Sequence, residues 1–424
     1  DLSGVIEMQT DILIQSFIDG VYDERLLDVY ADETKIYYQR ERYINAIKKF
    51  EQCYKPGDVE LFSAPGRSEI GGNHTDHQNG KVLAASINLD IIAVVRPVNS
   101  KESVSEEGSL SGHSGVNAGI IRIVSDDYPM LEVSLSDTDI NKDEYSTTKA
   151  LVKGVIAGFK KKGFKTGAFD AFITSDVPMG AGLSSSAAFE TLIGTIQSHI
   201  YNAGKISAED IAVIGQMAEN EYFGKPCGLM DQMASSVGSV VAIDFKSTEE
   251  PIVEKVEFDL KKHNHALCII DSGADHADLT DEYATIPSDM KAVAGFFGKK
   301  FLREVDENEF MANIKNIRAK LNNDRAVLRA IHFFNDNKRA QEEVKALKND
   351  DFELFKQFVK KSGQSSYMYL QNVFATSMPK NQAVSLTLAL CDEILGDKGA
   401  YRVHGGGFAG TIQAFVPEKK LEAF

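Results

Sequence analysis

Over the first 60 residues the apolar positions recur at helical spacing. Ile12, Leu13 and Phe17 are followed by Tyr43, Ile44 and Ile47, which predicts a mostly helical start. The period then changes. Residues 59–64, 82–98, 119–123, 131–135 and 168–175 alternate or run apolar, as strands do. The Ser-, Gly- and Glu-rich stretch 99–118 reads as a mobile loop. Helical spacing returns over 186–202, where Ala188, Leu192, Ile196 and Ile200 stand four apart, and over 207–223 behind a Ser207 cap. It dominates 306–372, through Phe310, Ile314, Ile317 and Leu321, then Val327, Leu328 and Ile331, then Phe352, Phe355 and Val359. Residues 400–416 are Gly-rich and then strand-like. Strands early and helices late predict an α+β architecture. At 424 residues the chain is too long for one core, so two domains are expected, 1–225 and 226–424, divided where Gly224-Lys225-Pro226 interrupts the helical pattern.

Composition adds exclusions. Hydrophobic residues make up 43% and charged residues 25%, as in an ordinary globular protein. A net charge of −16 argues against a nucleic-acid or anionic-membrane surface, both of which need a basic footprint. A small anion stays possible, because a few amides and one cation outweigh the global field locally. Four separated cysteines without a CxxC pair fit a reducing cytoplasm better than a disulfide framework. No apolar run is long enough for a membrane-spanning helix.

The most informative stretch is Val177-Pro-Met-Gly-Ala-Gly-Leu-Ser-Ser-Ser-Ala-Ala188. Gly180 and Gly182 allow close backbone approach to a ligand, and the serines open a helix whose free N–H groups and positive end suit phosphate. The plainer reading is a helix cap after a glycine turn. No GxxxxGK[ST] occurs, so a P-loop is excluded. A second polar cluster, Ala64-Pro-Gly-Arg-Ser-Glu-Ile-Gly-Gly-Asn-His-Thr-Asp-His77, lies between two strands and suits a hydroxyl-rich ligand. Arg67 brings fixed positive charge. The rival is a metal site at His74, Asp76 and His77, for which no second cluster completes the ligand set. In a third segment Asp231 stands among Cys227, Leu229, Met230 and Met233, an apolar setting that favours a base, and Glu219 lies on the preceding helix. The fourth, Val403-His-Gly-Gly-Gly-Phe-Ala-Gly410, contains GxGxxG, but a strand rather than a helix follows, so a dinucleotide fold fails on context.

These four segments, in this order, resemble the GHMP kinases, and the stretch from Arg67 to His77 is similar to the galactokinase signature GRxNxIGEHTDY. The resemblance implies a two-domain GHMP kinase fold, with a ribosomal protein S5 domain 2-like N-terminal domain and an α+β C-terminal domain. It implies an active site in the cleft between them and a last strand free to return to the N-terminal domain. The implied reaction is ATP-dependent phosphorylation of the anomeric hydroxyl of galactose with Mg²⁺, in a monomer or small homo-oligomer. Asp231 would be the base, with Arg67 beside the phosphoryl group. Gly180, Ala181, Gly182, Leu183, Ser184, Ser185 and Ser186 would cradle ATP, while Ser186 and Glu219 would hold the metal. Glu69, Asn73, His74, Asp76, Gly228 and Tyr283 would face the sugar.

Three departures from that pattern bear on the sugar. Asn73 stands where the signature has glutamate, and Glu69 stands where it has asparagine. After Tyr283, the run Ala284-Thr285-Ile286 lacks the usual arginine pair. Two alternatives follow: a GHMP kinase for an amino sugar, pentose or uronic acid, and a non-catalytic sugar sensor. The sensor should show damage in the serine loop or at Asp231, and both are intact.

Overall fold

The structure, a computed structural model, describes residues 8–98, 119–126, 128–178, 182–247, 251–273 and 279–424. The loop expected at 99–118 lies outside them, as do Gly180 and Ala181. The chain divides into two compact units, neither continuous in sequence.

The first unit comprises the chain up to Gly66, Ile87–Pro178 and Ser184–Val237. It opens with β1 (Met8–Gln9), α1 (Thr10–Ile18), α2 (Asp23–Tyr30) and α3 (Ile36–Tyr54). The apolar stripe read from the sequence is buried except for Ile12, which is 52% exposed. Leu13, Phe17, Tyr43, Ile44 and Ile47 share a cluster with Val59, Ile92, Val94 and Phe172 of the strands. Next come β2 (Asp58–Gly71), β3 (Lys81–Pro97), β4 (Ile120–Ser125), β5 (Tyr128–Ser134), α4 (Thr148–Lys161) and β6 (Phe169–Ser175). Their order in the sheet is β1-β2-β3-β6-β4-β5, with β6 antiparallel to β3 and parallel to β4. Ile91 through Val95 of β3 are all buried, so the strand runs apolar instead of alternating.

Helices α5 (Ser185–Asn202) and α6 (Ala208–Met217) follow, then one wider helical turn, Ala218–Phe223, and α7 (Met230–Val237). The Ser207 hydroxyl caps α6 by accepting the Asp210 N–H, as its position before the helix predicts. Gly224-Lys225-Pro226 breaks the helix but does not end the unit, because α7 packs on α5 and α6 and carries it to Val237.

The second unit holds residues 67–86, Gly182, Leu183 and Gly238–Phe424. Lys81–Ala85, the start of β3, pair with β7 (Val240–Asp244), which pairs with β8 (Ile252–Val256). After β9 (His265–Asp271) come α8 (Thr280–Phe296), α9 (Glu307–Leu321), α10 (Asp324–Lys348), α11 (Phe352–Ser365), α12 (Ala383–Leu395), β10 (Ala400–Val403) and β11 (Thr411–Pro417). Ile286, Met290, Phe310, Ile317 and Phe333 join α8, α9 and α10 in one core. The last strand does not return to the first unit. β11 is antiparallel to β9 on one side and β10 on the other, so both its edges are occupied. Strands β7, β8 and β9 have no counterpart in the sequence reading. They are short, and β8 carries Glu254 and Lys255 side by side, which breaks strict alternation. Among the described residues no helix is long and apolar enough to cross a membrane.

Candidate active site

The expected site residues fall into two groups, one in each unit. In the first unit Ser184 precedes α5 with φ 55°, the left-handed region. A residue with a side chain is held there at a cost of about 1–3 kcal/mol, so the surroundings must enforce it. Its hydroxyl does not cap the helix. Instead Ser184 Oγ donates to Asp231 Oδ2 at 2.5 Å. The first N–H groups of α5 thus meet no side-chain cap, and the positive helix end is left for an anion. Asp231, in the first turn of α7, is held at that same helix opening.

Two residues after Ser184, Ser186 Oγ donates to Glu219 Oε1 at 2.9 Å. Glu219 is buried on the wider turn after α6, and it also accepts from Lys225 Nζ at 3.0 Å and from Gln232 Nε2 at 2.7 Å. The same Gln232 nitrogen donates to Glu190 Oε2 at 3.0 Å. Burial, with the Glu219 carboxylate beside it, pushes the Glu190 carboxyl well above the usual carboxylate range. Burial likewise pushes the Cys227 thiol up, which disfavours the thiolate. Gly228 is half-buried in the extended stretch before α7. Ser186 and Glu219 offer two adjacent oxygens to a hard divalent cation, the donor type that Mg²⁺ prefers, so this pair fits the metal. Among the described residues no group of three or more His, Cys, Asp or Glu side chains could hold a metal ion. The rival site at His74, Asp76 and His77 therefore finds no support. His77 Nε2 is 3.8 Å from Asp76 Oδ1, while His74 turns to a backbone carbonyl.

In the second unit Arg67 is buried and tied to the end of the glycine loop. Its guanidinium donates to the Gly182 carbonyl at 2.5 Å, and its N–H to the Leu183 carbonyl at 3.1 Å. His74 has φ 56° and donates from Nε2 to the Gly406 carbonyl at 3.0 Å. Burial lowers its pKa to about 3, so the ring is neutral at physiological pH. Its buried Nδ1 has no hydrogen-bond partner among the described residues, which leaves an acceptor for a ligand hydroxyl. Tyr283 donates to the Gly407 carbonyl at 2.7 Å. A Cβ on Gly406 would lie 2.4 Å from the Tyr283 ring, and one on Gly407, at φ 80°, would lie 2.0 Å from the Asn372 carbonyl. Both glycines are required by close approach within the protein. The GxGxxG run is thus a turn gripped by His74, Tyr283 and Asn372. Asp76 opens a short 3₁₀ turn, Asp76–Gln78, and Glu69 and Asn73 are buried and bonded to one another at 2.9 Å.

Comparison with known proteins narrows what this geometry serves. The model for the GHMP kinases N terminal domain matches residues 150–239, and the galactokinase galactose-binding signature matches residues 48–97. A galactokinase of Actinobacillus pleuropneumoniae serotype 5b is 31% identical over 385 residues, covering 89% of this chain and 90% of the relative. One from Glaesserella parasuis is 30% identical over 389 residues, covering 88% and 90%. The chain belongs to the galactokinase family. Its fold agrees. The crystal structure of Lactococcus lactis galactokinase complexed with galactose superposes with TM-score 0.71 at 22% identity over 89% of this chain and 90% of that one. The Methanococcus jannaschii mevalonate kinase superposes with TM-score 0.57 at 15% identity, over 87% and 93%.

This galactokinase-family chain carries polar residues that pattern reading passes over. Arg402 on β10 and His332, Asp336 and Glu343 on α10 are all fully buried. No local motif marks them, because their partners come from distant segments. Asp336 accepts the Asn73 N–H at 2.8 Å, and His332 Nε2 donates to the Asn73 carbonyl at 2.9 Å. Glu343 is the exception in this group. Neither of its carboxylate oxygens has a hydrogen-bond partner among the described residues. Burial first, then the negative charge of Asp336, pushes its carboxyl well above the usual range. A raised pKa contributes stability that is full below the unfolded value and is lost as pH rises through the folded one. Glu343→Gln should therefore stabilise the fold by about 1–3 kcal/mol at pH 7.5. Denaturant titrations across pH should show the gain over wild type growing above pH 4.5, the ordinary carboxyl value, and vanishing below it. A gain that does not depend on pH would refute the assignment of a neutral acid.

Proposed function

We propose that this chain phosphorylates the anomeric hydroxyl of galactose with ATP. The observation that carries the reading is the 2.5 Å bond from Ser184 Oγ to Asp231, which brings a carboxylate to an uncapped helix end suited to phosphate. The sugar oxygen attacks the γ-phosphorus, the bond from that phosphorus to the bridging oxygen of ADP breaks, and the hydroxyl proton passes to Asp231. Arg67 and the N–H groups of α5 stabilise charge on the transferring phosphoryl group. Mg²⁺, held by Ser186 and Glu219 when bound, would neutralise the triphosphate. His74 keeps a neutral ring at the sugar, and Asp76, Gly228 and Tyr283 complete that side. The reaction takes place in the cytoplasm, with sugar and ATP as the ligands.

The test is ATP consumption against a panel of galactose, glucose, an amino sugar, a pentose and a uronic acid. Galactose should give the highest kcat/KM. Stronger turnover of another member would replace the substrate, and none with any sugar would remove the kinase reading. For the metal pair, Ser186→Ala should raise the Mg²⁺ concentration needed for half-maximal rate by about tenfold, with galactose KM unchanged. An unmoved magnesium titration would take Ser186 out of the metal site.

A further inference from the structure

Two of the departures from the galactokinase signature are reciprocal. A signature with asparagine and then glutamate becomes Glu69 and then Asn73, four residues apart. In the second unit these two side chains bond to each other, and Glu69 also bonds one buried cation. Glu69 Oε1 accepts from Asn73 Nδ2 at 2.9 Å, and the same oxygen accepts from the Arg402 guanidinium. Arg402 is fully buried and also donates to the Ile70 carbonyl at 3.2 Å. A buried cation of this kind needs its carboxylate nearby.

Asn73 has no hydrogen-bonding capacity left over. Its amide nitrogen gives its second proton to the Gly405 carbonyl at 2.8 Å. Its oxygen accepts from Ser366 Oγ at 3.1 Å and from Asn372 Nδ2 at 3.0 Å. Its backbone N–H and carbonyl are taken by Asp336 and His332. A sugar hydroxyl arriving at this position finds no free atom of residue 73. The amide instead reaches the turn that holds His74. Asn372, bonded to Asn73, also donates to the Gly406 carbonyl at 3.1 Å, and that carbonyl accepts from His74 Nε2.

We infer that Asn73 is a positioning residue: Glu69, Asn73 and Arg402 form one exchanged carboxylate–amide unit that sets the 405–406 turn and, through it, the His74 ring. The inference rests on the sugar-kinase reading above. It makes the two exchanges interdependent. Asn73→Glu alone puts a second carboxylate against Glu69, and Glu69→Asn alone leaves Arg402 without its anion. Together they restore one charge and one amide. Because Arg402 and Asn73 share one oxygen of Glu69, a carboxylate one methylene longer at position 73 lies within reach of the guanidinium.

The experiment is a double-mutant cycle read by steady-state kinetics and thermal midpoints. Each single variant should raise galactose KM about tenfold or more while ATP KM stays within about twofold. The double variant should return to within about threefold of wild type, a coupling well inside the range for residues in contact. Ser366→Ala, which removes one donor to the Asn73 oxygen, should raise galactose KM about two- to fivefold. If Asn73→Glu does not fold, Glu69→Gln takes its place and should show the same split between the two KM values. Effects that simply multiply in the double variant would overturn the inference. So would an Asn73→Glu enzyme that binds galactose normally but reorders sugars differing at one hydroxyl, since that residue would then touch the sugar. If wild type phosphorylates no sugar, the kinase reading falls by itself. The thermal-midpoint cycle still decides the exchange, recovery supporting it and additivity refuting it.

Discussion

Asp231→Asn should lower kcat for galactose phosphorylation by about 10²- to 10⁴-fold, the contribution of a positioned general base. The substitution keeps the shape of the side chain, and the new amide oxygen can still accept from Ser184 Oγ, which now donates to Asp231 at 2.5 Å. The start of α5 therefore stays in place, and with it the phosphate site. What disappears is the capacity to take the sugar proton. Galactose KM should accordingly stay within a few-fold of wild type, because binding does not require that proton to move. An assay of ADP release checks both numbers. Turnover near the wild-type rate would remove Asp231 as the base, and a large rise in galactose KM at unchanged kcat would make it a binding residue instead.

Arg42→Ala should cost about 3–5 kcal/mol of stability, the usual penalty for removing one partner of a buried ion pair. Arg42 on α3 donates to Asp90 Oδ1 at 2.5 Å, with the two side chains only 6% and 3% exposed. Tyr30 donates to the other Asp90 oxygen at 2.7 Å, and Ser63 donates to that oxygen at 2.5 Å. Truncation leaves the Asp90 charge buried with neutral partners alone. Urea denaturation, followed by circular dichroism, measures the loss. A midpoint within error of wild type would show that the network adds no net stability. A second effect is expected on catalysis. Arg42 also approaches Asp176 at 3.3 Å, and Tyr38 donates to that carboxylate at 2.9 Å. Asp176 directly precedes the glycine–serine segment, so loosening α3 should raise ATP KM more than galactose KM. The N-terminal helices, for which the sequence offers no role, thus hold Asp176, just before the glycine–serine segment.

The legible part of this protein is the part whose signal is local. The period change near residue 59 and the serine cap of α6 are each set by neighbours a few residues apart. The glycine–serine stretch was readable as an anion site for the same reason, because backbone N–H groups at a helix start point one way whatever the rest of the chain does. Pairing Ser186 with Glu219 needed the family resemblance, since the two residues meet across helices at 2.9 Å.

The amino-acid sequence by itself determined the α+β class and the family. Only the tertiary structure decided what the buried charges do. It assigned Glu69 to Arg402, filled every hydrogen-bonding position of Asn73, and left the Glu343 carboxylate without a hydrogen-bond partner among the described residues. Those outcomes depend on residues hundreds of positions apart being brought into hydrogen-bond range. Removal from water makes each such contact strongly favourable or strongly costly, and a one-dimensional pattern carries no record of which.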